Sequence, residues 1–180
     1  MSATELLILF IISLIANLLS ALAGGGAGLL QLPALLFLGL PFPTALATHK
    51  IASVALGVGA SIRHWQSEKL DVRFSLFILA AGLPGVWLGT QVILDVPEHW
   101  AKLALGILTI AIGVYSLFKP NLGQKNEIRT HGFRELSIGC SVLFIIGVLN
   151  GSLTSGTGLF VTLWLIRWFG FDFTRAVAYT

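Results

Sequence analysis

Two glycine-rich stretches interrupt the apolar parts of this 180-residue chain, at residues 24–28 and 151–158. Glycine destabilises a helix interior, and in hydrocarbon a helix can break only where protein or a cavity covers the freed N–H and C=O groups. A helix that begins after such a break presents free N–H groups and partial positive charge, which suit a small oxyanion. Breaks in corresponding positions of two halves therefore predict a binding site between them.

The candidate site residues in these stretches act mainly through their backbone. Glycine lets a ligand approach the main chain, and hydroxyl side chains in the second stretch add hydrogen-bond donors. Close packing of helices against the glycines is the alternative for both stretches. The predicted anion-binding residues are Gly24, Gly25, Gly26, Gly28, Ser155, Gly156, Thr157 and Gly158.

Four polar residues near the first stretch extend the candidate site. Lys50 is the only Lys or Arg between residues 1 and 62, and an ionisable side chain within a membrane span predicts a function. Lys50 would attract an anion, and His49 titrates near neutral pH and would couple transport to protons. Thr48 and Gln31 add polar groups. The alternatives are that Lys50 snorkels to the outer surface and that Gln31 makes a hydrogen bond between helices.

The composition indicates an integral membrane protein. Of the residues, 56% are hydrophobic and only 11% are charged, against roughly 25% charged in soluble domains. The net charge of +3 does not predict a nucleic-acid partner, because the basic residues cluster in two short loops and form no stripe. The single cysteine, Cys140, excludes an intrachain disulfide, and neither a metal nor a cofactor is predicted.

Five apolar segments are long enough to predict spanning helices: 6–23, 44–62, 74–94, 101–118 and 136–150. Two further segments, 29–40 and 159–169, reach roughly 18 Å at 1.5 Å per residue, against a hydrocarbon core of about 30 Å. These two are predicted to be half-helices. We therefore expect a multi-pass protein of the cell inner (plasma) membrane, with the lipid bilayer as its surroundings.

The basic loops at 63–73 and 119–134 are separated by two predicted spans, so both can face the cytoplasm. This orientation gives the two glycine stretches opposite directions. The predicted fold is all-α and polytopic, with glycine-broken helices in an inverted repeat whose second copy is incomplete. The predicted division is a first membrane repeat at 1–118, a basic cytoplasmic loop at 119–134 and the start of a second repeat at 135–180.

The residues themselves repeat weakly. Residues 26–30 align with 156–160 and, after one inserted residue, 39–42 align with 170–173 and 45–47 with 176–178. The stretch at 24–33, followed by Gly39-Leu40-Pro41 and by residues 45–48, resembles the sulfite exporter TauE/SafE family. The second copy departs from that pattern, since it lacks the glycine triplet and has Leu163 where the first copy has Pro33. Because the chain ends just past the position that matches Thr48, we expect it to be truncated relative to complete members.

The resemblance implies a permease for a small anion, with sulfite or an organosulfur compound as plausible substrates, working by alternating access. Proton or ion coupling and an oligomeric assembly are compatible with it. The alternative function is a non-transporting membrane scaffold or accessory subunit. An enzyme is not predicted, because the spans lack paired carboxylates and the chain lacks a Gly-x-Ser-x-Gly nucleophile turn.

Overall fold

The computed structural model describes residues 3–23, 26–66, 71–118, 132–154 and 156–180. In these ranges the chain is helical and contains no strand, which confirms the all-α prediction. The helices are α1 (Ala3–Ala23), α2 (Ala27–Phe37), α3 (Phe42–Gln66), α4 (Val72–Asp95), α5 (Glu98–Phe118), α6 (Phe133–Ser152), α7 (Thr157–Trp164) and α8 (Phe173–Ala178), with a π-helical turn at Leu165–Phe169 between α7 and α8.

Three of the described helices are long and apolar enough to cross a membrane: Phe42–Arg63, Val72–Asp95 and Arg134–Ser152. Shorter apolar helices occupy Leu6–Ala21, Ala27–Phe37 and Thr157–Phe169. Many large apolar side chains lie on the outer surface, among them Phe37, which is 90% exposed, and Trp87. Such a surface suits lipid, and the predicted helical membrane protein is confirmed.

Helices α4 and α6 pack more closely than the other described helices, and glycines make this close approach possible. A Cβ on Gly85 would overlap the carbonyl oxygen of Phe144, and a Cβ on Gly147 would overlap the carbonyl oxygen of Gly82. Gly151 packs in the same way on the backbone of α4. It lies inside α6, so the second interruption is shorter than the predicted stretch at 151–158 and extends over 153–156. The reason is that Gly151 serves helix packing, which requires an intact helix there.

The two halves of the chain share one order of elements. Gly26 and Gly156 precede α2 and α7 with φ angles of 98° and 69°, in the left-handed region that favours glycine. Gly39 and Gly170 follow with φ angles of 84° and 75°. After each of them the chain donates back into the preceding helix, Leu40 N–H to the carbonyl five residues earlier at 3.2 Å and Phe171 N–H to the carbonyl six residues earlier at 3.3 Å. Helices α1, α2 and α3 thus correspond to α6, α7 and α8.

The single inserted residue in the second copy lies in the π-helical turn. The stretch from Gly156 to Gly170 is one residue longer than the stretch from Gly26 to Gly39. A π turn accommodates an extra residue within a helix without breaking it. The turn at Leu165–Phe169 therefore absorbs the insertion, and both stretches end in the same glycine cap.

Two buried clusters form the core of the described helices, and the second of them joins the two halves. In the first, Leu32 and Leu35 of α2 pack with Ala45 of α3 and Leu105 of α5. The second gathers aromatic rings around Phe74 of α4, with ring centroids at 5.1 Å for Phe169, 5.0 Å for Phe171 and 5.0 Å for Tyr179. These three pairs are edge-on contacts, the favourable geometry for aromatic rings.

A carboxylate from α5 caps α3. Glu98 Oε1 accepts hydrogen bonds from the N–H of Phe42 at 3.0 Å and from Nζ of Lys102 at 2.9 Å. Phe42 is the first residue of α3, whose N–H has no acceptor within its own helix. The hydrogen bonds from Lys102 and then from Phe42 hold the pKa of Glu98 below its ordinary value.

The substitution Gly85→Ala should destabilise the protein. The new methyl group would collide with the α6 backbone, and overpacking of this kind costs about 1–3 kcal/mol. The matched control is Gly113→Ala on α5, where a Cβ meets nothing within 4 Å and alanine favours the helix. Thermal unfolding in detergent measures both variants. Equal melting temperatures would contradict the proposed role of Gly85.

The lowered pKa of Glu98 predicts that the folded protein loses stability in acid. A carboxylate whose pKa is lowered on folding contributes stability above the unfolded pKa of about 4.3, and this contribution disappears as the pH falls through the folded pKa. The melting temperature of the parent should therefore fall more on acidification than that of Glu98→Gln. Asp95→Asn, a neighbouring carboxylate with no hydrogen bond among the described residues, is the control and should keep the parent response.

Candidate functional site

The beginnings of α2 and α7 meet, and their contacts are reciprocal. The Cβ position of Gly26 lies 3.4 Å from Cδ1 of Leu159, and the Cβ position of Gly156 lies 3.1 Å from Cδ2 of Leu29. Each leucine is the third residue after the glycine of its own half and covers the glycine of the other half. Such an exchange is what a two-fold relation between the halves produces. The structure thus brings together the described parts of the two predicted breaks.

Both helices begin without a side-chain cap. The N-cap residues are the glycines Gly26 and Gly156, and neither helix has a side-chain hydrogen bond at its start. The first internal bonds run from Leu29 N–H to Gly26 O at 2.9 Å and from Leu159 N–H to Gly156 O at 3.0 Å. The N–H groups at 27–28 and 157–158 precede the regular bonding of their helices. Gly28 and Gly158 thus lie in the first turns, where an anion would bind.

The hydroxyl of Thr157 is engaged within the second break. Its Oγ1 lies 2.9 Å from Asn150 Oδ1 and 3.1 Å from the carbonyl oxygen of Thr154, and its single proton is shared between these acceptors. Thr154 itself has a φ angle of 60°, which is rare for a residue with a Cβ. Thr157 therefore stabilises the break, and its contact with an anion stays a prediction.

Gln31 and His49 lie at the centre of a buried polar chain through three helices. Each is only 2% exposed. Gln31 Nε2 donates to Ser13 Oγ of α1 at 3.0 Å, and Gln31 Oε1 lies 2.8 Å from Nδ1 of His49. Nε2 of His49 lies 3.2 Å from Ser53 Oγ, one turn further along α3. The hydrogen bond between helices, one of the two interpretations of Gln31, is present.

Lys50 points the other way from α3. Its Nζ donates to the carbonyl oxygen of Gly151 at 2.7 Å and lies 3.5 Å from Thr90 Oγ1. The ammonium group therefore reaches the C-terminal end of α6, where the helix dipole is negative, and does not snorkel to the outer surface. This position is immediately before the second break, so the structure joins a cation of the first half to the candidate site of the second half.

The remaining predicted residues are not tied to this centre. Thr48 Oγ1 donates to the carbonyl oxygen of Thr44 in its own helix at 2.9 Å. Gly24, Gly25 and Ser155 lie outside the described residues. Within the described ranges, no group of three His, Cys, Asp or Glu side chains is placed to hold a metal ion.

Sequence reasoning missed the partners of these residues. Ser13, Thr90 and Asn150 are small polar side chains in apolar helices. The partners of Ser13 and Thr90 lie 18 and 40 residues away, and Asn150 contacts Thr157 across the second break. Nothing in the sequence links residue 13 to residue 31 or residue 50 to residue 151. The contact of Ser53 with His49 could have been predicted, because Ser53 lies four residues after His49 and thus on the same helix face.

These features define an all-α membrane protein with two glycine-capped broken helices that meet at their N-terminal ends. The chain belongs to the sulfite exporter TauE/SafE family, whose model matches residues 9–180. No solved structure matches the chain.

Three relatives carry similar names. A probable membrane transporter protein of Haemophilus influenzae is 34% identical over 97% of this chain and 67% of its own length. The probable membrane transporter protein YfcA of Escherichia coli K12 is 29% identical over 96% of this chain and 63% of its own. The probable membrane transporter protein YunE of Bacillus subtilis is 23% identical over 84% and 63% respectively. The chain spans about two thirds of the length of these relatives.

Gly156→Ala should be more damaging than Gly39→Ala. Both glycines have positive φ angles, where a Cβ costs roughly 1–2 kcal/mol. At Gly39 a Cβ meets nothing within 4 Å, whereas at Gly156 it would overlap Cδ1 of Ile112 and press on Leu29. Thermal unfolding in detergent should show the larger loss for Gly156→Ala. Equal losses would contradict the crowding of Gly156 by Ile112 and Leu29.

Proposed function

We propose that the chain forms the substrate-binding part of a permease for a small anion in the cell inner membrane. The observation that carries the proposal is the meeting of α2 and α7 at Gly26 and Gly156. Two helix N-termini that converge inside a membrane supply N–H donors and positive potential from two sides. The names of the relatives, which are probable membrane transporter proteins, support a transport role over catalysis.

Lys50 provides the charge in this proposal. Its ammonium group is held by the carbonyl oxygen of Gly151, directly beside the second break. A neutral carbonyl is a weaker partner for a cation than an anion is, because the attraction between opposite unit charges adds to the hydrogen bond. An incoming anion would therefore compete successfully for Lys50, while the backbone at Gly26, Gly28 and 156–158 binds its oxygen atoms.

A small oxyanion suits this site better than a large one. Leu29 and Leu159 cover the opposite glycines, so a bulky ligand would have to displace both side chains to reach the two breaks. The family description names sulfite, which is a small oxyanion, and sulfite or a small organosulfur anion is the substrate we propose. Alternating access would arise if the two related halves tilt against each other around the contact of α2 with α7.

Removing the charge of Lys50 should reduce flux. We expect Lys50→Met to lower the uptake of radiolabelled sulfite into proteoliposomes by roughly tenfold or more, since a hydrogen bond to a charged group contributes about 1.5–3 kcal/mol. Lys50→Arg keeps the charge and should retain more flux. The control is Lys102→Met, which removes an exposed lysine that is paired with Glu98.

Two results would contradict the proposal. Unchanged flux in Lys50→Met would remove Lys50 from the site. If neither this chain nor its longer relatives move sulfite or an organosulfur anion above the level of empty vesicles, the chain is better described as a membrane scaffold or accessory subunit.

A further inference from the structure

We infer that Gln31 fixes His49 with its hydrogen on Nδ1, so that Nε2, which faces Ser53, is the atom that takes up a coupling proton. The assignment of the hydrogen rests on the geometry of the polar chain alone. Its use in coupling rests on the proposed function. Gln31 and Ser53 are thus positioning residues, and Nε2 of His49 is the acceptor.

The first part of the argument is the amide of Gln31. With its Nε2 donating to Ser13 Oγ at 3.0 Å, its Oε1 faces Nδ1 of His49 at 2.8 Å. An amide oxygen only accepts, so Nδ1 must carry the hydrogen. In a neutral imidazole the other nitrogen then has a lone pair. That nitrogen is Nε2, 3.2 Å from Ser53 Oγ.

The second part is the behaviour of Ser53. Other hydroxyl side chains in these helices donate to the carbonyl four residues earlier, as Thr48, Thr90, Thr109 and Ser141 do. Ser53 differs from these residues, since its Oγ is paired with Nε2 of His49 instead. Its hydrogen is therefore available for Nε2, in agreement with the lone pair that Gln31 imposes. Two independent neighbours thus indicate the same form of the ring.

Proton uptake then requires only a rotation of one hydroxyl. A proton from water adds to the lone pair of Nε2, and the neutral ring becomes a cation with hydrogens on both nitrogens. Nε2–H now donates to Ser53 Oγ, and the hydrogen of the Ser53 hydroxyl turns away from the ring. Nδ1–H stays on Gln31, so the polar chain through α1 and α2 is unchanged.

The geometry also indicates the side from which a proton reaches His49. Ser53 lies one turn closer than His49 to the end of α3 that carries Arg63, the cytoplasmic end in the orientation that the basic loops predict. On the other side of the ring, Gln31 contacts Nδ1, which already carries a hydrogen and cannot take up a proton. We therefore expect proton uptake on the side of the ring that faces Ser53, which is the cytoplasmic side in this orientation.

The charged neighbours of His49 are few. The contacts from α1 and α2 are the neutral side chains of Ser13 and Gln31, and α2 carries no ionisable residue. Lys50 on α3 opposes a positive charge on His49, and its own ammonium group is bonded to α6. The groups on the other elements that pack on α3 have partners other than His49. On α5, Glu98 accepts from the Phe42 N–H at the start of α3 and from Lys102. On α8, Arg175 lies over Phe171, and the hydroxyl of Tyr179 accepts from the N–H of Asp71.

Nitrogen NMR of the chain in lipid bilayers tests the assignment. His49 is the only histidine that precedes a lysine in the sequence, so a label pair on His and Lys identifies its signals. We expect a protonated Nδ1 and an unprotonated Nε2 in the parent at neutral pH. In Gln31→Leu the hydrogen should move to Nε2, whereas Gln31→Glu keeps an acceptor and should retain the parent form. Ser53→Ala should shift the Nε2 signal, and the control Ser141→Ala should not.

Each result tests a different part of the inference. A hydrogen on Nε2 in the parent overturns the inference, and an unchanged ring form in Gln31→Leu overturns the role of Gln31. For coupling, acid on the Arg63 side of oriented vesicles should change sulfite flux in the parent and not in Ser53→Ala. An equal response in both variants overturns the path through Ser53. Absence of any flux in the parent refutes the proposed function and its coupling, while the NMR result still decides the ring form.

Discussion

Two adjacent side chains of α3 hold the two broken helices to one element. His49 bonds Gln31 of α2, and Lys50 bonds the carbonyl of Gly151 at the end of α6. In hydrocarbon no water satisfies a broken backbone or a buried polar group, so protein must do it. Because the two bonds come from adjacent residues that point in different directions, α3 is tied to α2 and to α6 at once. These two bonds are the constraint on which the arrangement of the candidate site depends.

Glycine serves two different purposes in this chain. At Gly26 and Gly156 a positive φ angle lets the chain turn sharply into a short helix, and the missing side chain leaves room for a leucine of the other half. At Gly85 and Gly147 the backbone is ordinary helix, and the missing side chain lets α4 and α6 touch. Within the two glycine stretches, close packing is present at Gly151, which lies against the backbone of α4, while anion binding at the other residues stays a prediction.

Much of the fold was accessible to sequence reasoning. The short segments 27–37 and 157–169 are helices that begin at a left-handed glycine, as the paired breaks predicted, and the inserted residue of the second copy lies in the π turn. These features are local: glycine, proline and an apolar run of given length act through neighbouring residues. The predicted extent of the second break was wrong, because the packing of Gly151 on α4 depends on residues far away in the chain.

By itself the sequence determined the class of protein, its helices and the residue types of the candidate site, since hydrophobicity and backbone preference are properties of short segments. It did not determine which polar groups pair. The contacts of Gln31 with His49, of Lys50 with Gly151, and of each leucine with the opposite glycine join residues 18, 101 and about 130 positions apart. Only the packing of the helices decides such pairs, because a side chain in an apolar span bonds whichever partner the neighbouring helix brings within reach.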